Sequence, residues 1–450
     1  MEIHTKIEWT MDFPGTKITQ DFPWQPLVQS PSQTIVEQDL NWPGGTIEIL
    51  NQAFHKGLTR YTRWILPNHG DLRSYKKAAA VYKRGVTTST TTTTRSSGSY
   101  LVRGMPSVSH CLGEEEQEAY IIDKNVYEKW PFLKKLNAFA IEMDESRKNL
   151  ISVAEIRKWL EKNPPKIAVH IIGGGIVADT AAFTCSLLGL PFCLIPTTLL
   201  SMVDACVGGK TGVNFPPFGK NQVGSFSFPC EVRVSTEWLK TLSKRHFLSG
   251  LSECLKHGFL QGDNLLIAEI GKLKADTITP DLVKKIIQIK AKIVAEDPAE
   301  YGRRATLNLG HTLAHALEKV AAEETNSANK ITHGEAVAIG LYFQTYLSEF
   351  FRGDLISNQL QRATLRERQL IPSKDVLEER IGVPLTKALC NRLFLGIIHD
   401  KKSTGNSQTS NWIVLEKMGQ VRTKKGKYTV EVNKEDFSKV WEKFINNYPS

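Results

Sequence analysis

Short apolar runs alternate with segments of helical spacing through the middle of the chain. Apolar runs of strand length occur at 119–122, 167–172 and 192–195, the second of them rich in β-branched residues, and each is followed by Asp, Gly or Pro. Between the first two runs, residues 152–160 carry apolar side chains at the 3.6-residue period of a helix. Strands that alternate with helices in this way predict a parallel sheet with helices packed on its faces.

The spacing beyond residue 241 is mostly helical. Its clearest helix places four apolar side chains on one face: Leu282, Ile286, Ile289 and Ile293. Lys290 points with that apolar face, whereas neighbouring lysines lie on the polar side. A lysine turned inward requires a buried anionic partner or substrate, unless its stem extends to nearby solvent.

The first 98 residues differ in composition from the rest. They contain a low-complexity Thr/Ser tract at 87–98, and a basic stretch at 55–84 with interleaved aromatic residues. The tract cannot bury enough apolar surface to order itself, and a solvated basic face is a simpler interpretation of 55–84 than a nucleic-acid arm. We therefore predict an extension over 1–98, an α/β NAD-binding domain over 99–240, and an α-helical metal-binding and substrate-binding domain over 241–450.

Composition places the chain among globular proteins. It has 450 residues, 41% hydrophobic and 23% charged, which excludes a fibrous or wholly disordered chain. Its 57 Lys and Arg exceed 47 Asp and Glu, a net charge of +10. That surplus permits binding of phosphorylated metabolites or nucleic acid and requires neither.

Location is indicated by cysteine usage and by two apolar patterns. Seven cysteines without pairing motifs favour a reducing compartment, and residues 1–23 lack the apolar core of a secretory signal. The uncharged stretch 180–203 contains two prolines, a glycine and four threonines, which favour a buried helix and strand over a membrane span. We expect a cytoplasmic protein without membrane contact.

A glycine run follows one of the predicted strands and precedes a helix. Gly173, Gly174 and Gly175 would let the backbone approach a phosphate, which the first N–H groups of the helix favour. The run lacks GxGxxG spacing, and a tight turn without a ligand gives the same pattern. Asp123, at the end of another predicted strand, is a candidate for a ribose hydroxyl.

A denser polar cluster lies on glycine-rich segments after the strand at 192–195. It comprises Asp204, Lys210, Asn214, Lys220 and Asn221. Lysine ammonium groups at the carboxyl end of a strand suit a phosphate or a carboxylate. We predict that these segments are loops that bind an anionic substrate.

Histidines indicate a metal site. His311 and His315 are four residues apart on a predicted helix, but Thr312 stands where a zinc protease has its glutamate. Helical spacing places both histidines on one stripe with Arg304 and Asn308. One carboxylate and two histidines would suit a catalytic Zn²⁺. Spacing alone does not choose among the five candidates, which are Glu253, Glu335, His311, His315 and His333.

Taken in order, these segments resemble the 3-dehydroquinate synthase family of sugar-phosphate cyclases over about residues 99–450. The matching strings are 173–179, 195–204, 207–214, 219–221, 239–242, 250–253, 290–294, 304–311 and 333–337. The resemblance implies an NAD-binding α/β domain joined to a helical metal-binding domain, with the active site in the cleft. It also implies a homodimer that acts on a sugar phosphate, with nucleic acid not expected as a partner.

The resemblance assigns roles residue by residue. Zn²⁺ or Co²⁺ would be held by Glu253, His311 and His333, and His315 would lie in the next layer or transfer a proton. Substrate hydroxyls and carboxylate would be bound by Asp204, Lys256, Lys290, Arg304 and Asn308. Its phosphate or hydroxyls would be reached by Lys210, Lys220 and Asn221, with Lys401 or Lys402 closing the site. NAD would contact Gly173, Gly174, Gly175, Asp179, Thr197 and Thr198, and its adenosine end Asp123, Asn125, Glu145 and Lys148.

The implied reaction uses NAD catalytically. The family oxidises an alcohol of 3-deoxy-D-arabino-heptulosonate 7-phosphate, eliminates phosphate, returns the hydride and closes the ring by an aldol step. The product is 3-dehydroquinate, an intermediate of the shikimate pathway for aromatic amino acids.

Two positions depart from the family pattern. Leu188 stands where the family usually has an arginine that helps hold phosphate across the dimer interface, and the loop 215–218 is one residue longer. Leu188 leaves room for a related cyclase that makes 2-deoxy-scyllo-inosose or a valiolone. A polyol dehydrogenase would not need the lysine-bearing glycine loops, and a nucleic-acid-binding protein on a retired enzyme would have lost more of the site.

Overall fold

A mixed sheet organises the first half of the chain in the computed structural model. The structure describes residues 35–38, 46–49, 100–112, 118–215, 219–297, 300, 302–325, 329–398 and 409–450. The predicted Thr/Ser tract, the basic stretch and the candidates Lys401 and Lys402 lie outside these residues. Two four-residue strands of the predicted extension are described, and both join the sheet.

Ten strands precede residue 235 within the described ranges. They are β1 (Ile35–Gln38), β2 (Thr46–Ile49), β3 (Tyr100–Gly104), β4 (Ala119–Asp123), β5 (Ala138–Ile141), β6 (Val169–Gly173), β7 (Phe192–Pro196), β8 (Lys210–Phe215), β9 (Gly219–Phe226) and β10 (Glu231–Val234). Eight form one sheet in the order β1-β2-β3-β10-β7-β6-β4-β5. Neighbours are antiparallel from β1 to β3 and parallel from β3 to β5.

Helices connect the parallel strands, as the alternating pattern predicts. They are α1 (Lys124–Lys129), α2 (Leu150–Lys162) and α3 (Gly175–Leu188). All five residues of β6 and of β7 are buried, which is typical of parallel strands covered on both faces. The uncharged stretch forms the end of α3, then β7, so the buried helix and strand are confirmed. No described helix combines the length and apolar character needed to cross a bilayer.

The order in which the chain adds strands to the sheet reverses at β4. From β4 the chain passes to β5 on one side, and it returns through α2 to β6 on the other side. Such a reversal opens a crevice at the carboxyl ends of the two strands that flank it. Asp123 ends β4 and Gly173 ends β6, so the predicted nucleotide residues lie at this crevice.

The second half is mainly helical. Its helices are α4 (Lys244–Gln261), α5 (Asn264–Gly271), α6 (Pro280–Glu296), α7 (His311–Glu324), α8 (His333–Phe350), α9 (Leu355–Glu367), α10 (Lys374–Ile381), α11 (Lys387–Ile398) and α12 (Lys434–Asn446). Four short strands accompany them: β11 (Thr409–Trp412), β12 (Leu415–Lys417), β13 (Gln420–Val421) and β14 (Val430–Asn433). The two expected kinds of architecture are thus present, and a boundary near residue 240 stays a prediction.

The predicted apolar face of α6 is confirmed. Leu282, Ile286 and Ile293 are buried, Ile289 is half-buried against the same core, and Lys290 is 7% exposed. The lysine therefore does point inward, and its partner is an anionic group described below.

Two local predictions were wrong. The glycine-rich segments that carry Lys210 and Lys220 are strands, because β8 and β9 pair antiparallel into a hairpin beside the main sheet. The stripe from Arg304 to His315 is not one helix. Residues Arg303–Asn308 form a 3₁₀-helix, and Gly310 at φ +78° separates it from α7.

Close contact between main chains fixes how α7 and α8 cross. A Cβ atom added to Gly340 in α8 would lie 1.9 Å from the carbonyl oxygen of Gly310, just before α7. Real Cβ atoms do not approach an oxygen so closely, so this crossing requires glycine at 340. Since His311 follows Gly310 directly, the contact also fixes where the first residue of α7 lies.

We expect Gly340→Ala to lower the free energy of unfolding by about 3 kcal/mol, because the new methyl group meets backbone that cannot rotate away. Gly396→Ala in α11 is the matched control, since no described atom lies within 4 Å of its added Cβ. There we expect a gain of about 0.5–1 kcal/mol from reduced flexibility of the unfolded chain. Urea unfolding followed by circular dichroism measures both, and equal effects of the two substitutions would contradict the proposed constraint.

Candidate metal centre and active site

Three helices each contribute one side chain to a compact group of metal-ligand type. Glu253 comes from α4, while His311 and His333 are the first residues of α7 and α8. One ligand atom from each lies within 4.8 Å of the others. The Nε2 atoms of His311 and His333 are 3.4 Å and 3.6 Å from Oε1 of Glu253.

These separations fit a bound metal ion. Zinc ligands of these types lie about 2.0–2.2 Å from the ion, so tetrahedral neighbours are roughly 3.4 Å apart. Glu253 is fully buried, and Lys256 pairs with its Oε2, whereas Oε1 faces the two histidines and accepts no well-oriented hydrogen bond from a described residue. A buried carboxylate requires compensation by hydrogen bonds or positive charge. The donor set therefore suits a divalent cation such as Zn²⁺ or Co²⁺.

The two histidines present Nε2 to the shared carboxylate. Nδ1 of His311 lies 3.0 Å from the carbonyl oxygen of Leu309, which fits a donated N–H and leaves Nε2 without a proton. Burial, with Lys256 nearby, lowers the pKa of His311 to about 4. At His333 burial opposes protonation, but the carboxylates of Glu318 and Glu253 outweigh it and raise the pKa to about 10. The two carboxylates therefore stabilise a positive charge at the position of His333.

The structure separates the five candidate ligands. Glu253, His311 and His333 come together. His315 borders them, with its ring centroid 5.6 Å from that of His311 and 6.2 Å from that of His333. Glu335 lies elsewhere, because it completes the capping box of α8 and pairs with arginines at 245 and 380.

Buried lysines surround Asp204, which lies on a π-helical turn after β7. Lys256 is 1% exposed, and its Nζ lies 3.4 Å from Oδ1 of Asp204 while pairing also with Glu253. Nζ of Lys290 lies 3.0 Å from the same Oδ1 and donates to the main-chain oxygen of Asp204 (2.5 Å). Asp204 is thus the anionic partner that the inward-pointing lysine requires.

The charges in this group stabilise one another. Burial alone would raise the pKa values of Asp204 and Glu253, but Lys256 lowers both well below their ordinary range, with help from Lys290 at Asp204. Burial would lower the pKa of Lys256, but the same two carboxylates raise it. At Lys290 burial prevails and the pKa is lowered.

A second group of cations lies where the β8–β9 hairpin meets the helical half. Lys210 pairs with Glu300, whose Oε1 accepts a hydrogen bond from Nδ2 of Asn308 (2.7 Å). The guanidinium of Arg304 donates to the carbonyl oxygen of Gly208 (2.9 Å). The structure therefore brings the predicted Lys210, Arg304 and Asn308 together through their contacts with Glu300 and Gly208.

The other strand of the hairpin lies against the turn before α2. Nζ of Lys220 is 3.0 Å from Glu318 and 3.6 Å from Glu145. Nζ of Lys148 donates to Asp179 and to Asn221, both at 2.6 Å. Asn214 joins these contacts, because its Oδ1 accepts from the amide of Asn221 (2.9 Å) and its Nδ2 donates to Glu145 (2.8 Å). The five predicted cofactor and substrate residues therefore form one connected polar network.

The glycine run is a side-chain-free junction between β6 and α3. Gly174 caps α3 without a side-chain hydrogen bond, and an added Cβ would lie 3.2 Å from Thr198. The amide of Thr197 donates to the carbonyl oxygen of Gly173 (3.0 Å), which joins the ends of β6 and β7. Helix N-termini of this kind accommodate a phosphate.

Asp123 closes the opposite side of the crevice. Its Oδ1 accepts from the amide of Asn125 (2.9 Å) and caps α1. Burial raises its pKa, although those backbone hydrogen bonds lower it. The carboxylate thus fixes the turn from β4 into α1.

Three site residues escaped the sequence reasoning. Glu318 lies two helical turns after His311 in the same helix, so spacing from that histidine would have found it. Glu300 lies outside the helices, before the 3₁₀-helix of Arg304, and no spacing indicates it. His257 is fully buried with Nε2 3.4 Å from Asp204, and neither ring nitrogen makes a well-oriented hydrogen bond to a described residue. It directly follows Lys256, but no spacing marked it.

Comparison with known proteins identifies a family. Family models for the N-terminal and C-terminal parts of 3-dehydroquinate synthase match residues 138–249 and 250–403. The 3-dehydroquinate synthase of Methylacidiphilum infernorum is 38% identical over 312 residues, which are 66% of this chain and 78% of that protein. The enzyme of Clostridium tetani is 33% identical over 342 residues, 74% and 84% respectively.

A solved structure shares the fold. It is 2-deoxy-scyllo-inosose synthase complexed with carbaglucose-6-phosphate, NAD⁺ and Co²⁺, with a TM-score of 0.64 and 19% identity, covering 77% of this chain and 97% of its own. The two family models together span more than half of the chain. The chain therefore belongs to the 3-dehydroquinate synthase family.

Proposed function

We propose that the protein converts 3-deoxy-D-arabino-heptulosonate 7-phosphate into 3-dehydroquinate and phosphate, with NAD and a divalent metal. The observation that carries this proposal is the meeting of Glu253, His311 and His333 beside the buried Lys256, Lys290 and Arg304. When bound, NAD accepts and returns a hydride, and Zn²⁺ or Co²⁺ held by these three residues polarises the alcohol that is oxidised.

Asp204 and its two lysines orient the substrate hydroxyls. The carboxylate of Asp204 accepts hydrogen bonds, while Lys256 and Lys290 donate, so together they match hydroxyl groups in both roles. Because these groups are buried and paired before substrate arrives, little reorganisation is needed when charge develops on a substrate oxygen.

Cationic and amide side chains on and beside the β8–β9 hairpin bind the carboxylate and the phosphate of the substrate. Arg304 and Asn308 suit the carboxylate, since a guanidinium and an amide donate to paired oxygens. Lys210, Lys220 and Asn221 suit the phosphate, where Nζ charge stabilises the dianion that leaves. Lys210 pairs with Glu300, so phosphate competes there with a carboxylate.

The nucleotide lies at the crevice between β4 and β6 in this proposal. The backbone of Gly173, Gly174 and Gly175 receives the diphosphate, and Asp179, Thr197 and Thr198 line the same side. Asp123, Asn125, Glu145 and Lys148 hold the adenosine end. His315 lies beside the ligand histidines, where a ring nitrogen exchanges a proton with substrate.

A related cyclase is the second candidate, and Leu188 favours it. Leu188 ends α3 and packs partly buried on the core, so it contributes no charge where the family has an arginine. Sugar phosphates that lack a carboxylate would not need Arg304 and Asn308 together. Their presence makes the dehydroquinate reaction the better proposal.

We also propose a homodimer in the cytoplasm. All seven cysteines are present as thiols, six of them buried, which supports a reducing compartment. The dimer rests on the family resemblance, and sedimentation velocity of the full chain measures it.

The activity is tested by phosphate release from 3-deoxy-D-arabino-heptulosonate 7-phosphate with NAD⁺ and Zn²⁺, the product being identified by mass. We expect phosphate and 3-dehydroquinate in equal amounts, and no release from a heptulose 7-phosphate that lacks the carboxylate. Release only from the latter would replace this proposal with the related cyclase.

Two substitutions test the site in the same assay. We expect Lys210→Ala and His311→Ala each to abolish turnover while the fold survives, because one removes charge at the leaving phosphate and the other removes a metal ligand. Lys240→Ala is the control, since Lys240 is exposed and pairs with Glu237 away from the site. Normal turnover in either variant would mean that the site is misplaced.

The buried charges make a separate prediction about stability. In metal-free protein we expect Lys256→Met to lower the free energy of unfolding by about 3–5 kcal/mol at pH 7.5, because Asp204 and Glu253 lose their main counterion. Both carboxylates have lowered pKa values, so their paired charge stabilises the fold above their ordinary pKa near 4 and is lost below it.

The loss caused by Lys256→Met should therefore shrink as the pH falls toward and below about 4. Urea unfolding of both proteins from pH 7.5 to about 3 measures this trend. Lys292→Met, on the exposed face of α6, should change stability by less than about 0.5 kcal/mol. A pH-independent loss would show that packing, and not charge, is what Lys256 contributes.

A further inference from the structure

One buried carboxylate contacts both a metal ligand and a candidate phosphate ligand. Glu318 lies on α7 and is 8% exposed. Its Oε1 accepts from Nζ of Lys220 (3.0 Å), and its Oε2 lies 3.3 Å from Nδ1 of His333. The two oxygens of one residue thus connect the metal centre to the β8–β9 hairpin.

We propose that Glu318 is a positioning residue that orients His333 for the metal and holds Lys220 for the phosphate. This inference rests on the proposed function, because it takes the metal and phosphate roles from there. Both contacts join described residues of this chain, one through each carboxylate oxygen.

His333 needs such a partner more than His311 does. The side chain of His311 is 10% exposed, and a backbone carbonyl holds its Nδ1. The side chain of His333 is 35% exposed, and its Nδ1 faces Glu318. A carboxylate behind a ligand histidine fixes the ring and its proton, and it increases the affinity of the other nitrogen for metal.

Lys220 is held from two sides. Its ammonium group lies between Glu318 of α7 and Glu145, which precedes α2. Without Glu318 the remaining carboxylate draws Lys220 toward α2. The ion pair therefore places the lysine between the two halves of the chain, where the metal ligands also lie.

A second metal site is the competing interpretation. His315, Glu318 and His333 also offer ligand atoms within 4.8 Å of one another. However, both Glu318 oxygens are already engaged, and Nε2 of His333 points to Glu253. A second ion would have to displace Lys220, so the geometry favours positioning.

Substitution with alanine and with glutamine separates the two roles. Glu318→Ala removes both contacts. In Glu318→Gln the amide oxygen still accepts from Nδ1–H of His333, but the NH₂ group then faces the ammonium of Lys220, donor against donor. Glu323→Ala is the matched control on the same helix, since Glu323 is exposed and pairs with Arg392.

The experiment titrates Co²⁺ into the full-length metal-free protein and follows visible absorption. Inorganic phosphate binding to the Co²⁺-loaded protein is then measured by calorimetry. For Glu318→Ala we expect Co²⁺ affinity to fall about 10–100-fold with an altered spectrum, and phosphate affinity to fall as well. For Glu318→Gln we expect a spectrum near that of the unchanged protein but weakened phosphate binding, as in Lys220→Met. Glu323→Ala should match the unchanged protein in both.

Each other outcome has a defined meaning. If Glu318→Ala and Glu318→Gln both bind Co²⁺ and phosphate normally, the inference fails while the proposed function stands. If the unchanged protein binds no Co²⁺, the metal site of the proposed function fails and the inference with it. Two equivalents of Co²⁺ that fall to one in Glu318→Ala would make Glu318 a ligand of a second ion and overturn the positioning role. Should Glu318→Ala not fold, Glu318→Gln still decides.

Discussion

The ion pairs of Lys256 with Glu253 and Asp204 are the constraint on which the site depends. Glu253 and Lys256 are fully buried and Asp204 is 21% exposed, so an isolated charge on either buried residue is strongly unfavourable. Asp204 follows the sheet, whereas the other two residues lie on α4, so satisfying the charges requires the two halves of the chain to meet there. Oε1 of Glu253 nevertheless faces His311 and His333, and these three side chains together offer the donor atoms for a divalent ion.

The two halves contribute different chemistry to this junction. The sheet contributes backbone: glycines at the end of β6 and the start of α3, at a reversal of strand order. The helices contribute side chains, with two candidate ligand histidines at helix starts and a glutamate from the interior of α4. The β8–β9 hairpin joins them, because Lys210 and Lys220 pair with carboxylates from the helical half. A substrate with two acidic ends and several hydroxyls fits a site assembled from all three.

Much of this was predictable from the sequence, and the failures have physical causes. Buried strands and the inward-pointing Lys290 follow from periodicity, since burial depends on local pattern. The choice of Glu253 over Glu335 does not, because it depends on arginines 90 and 45 residues away that neutralise Glu335. The prediction that Arg304 to His315 lie on one helix was wrong, because the left-handed backbone of Gly310 ends the regular spacing there. Glycine-rich β8 and β9 resemble loops by composition, and only their pairing with each other makes them strands.

The contact between Gly310 and Gly340 has a consequence for how this protein tolerates change. It fixes the crossing of α7 and α8 through main-chain atoms, and the two ligand histidines begin those helices. The spacing of His311 and His333 is therefore set by the helix crossing and not by the length of the connection between the helices. Two glycines far apart in sequence must therefore be retained together.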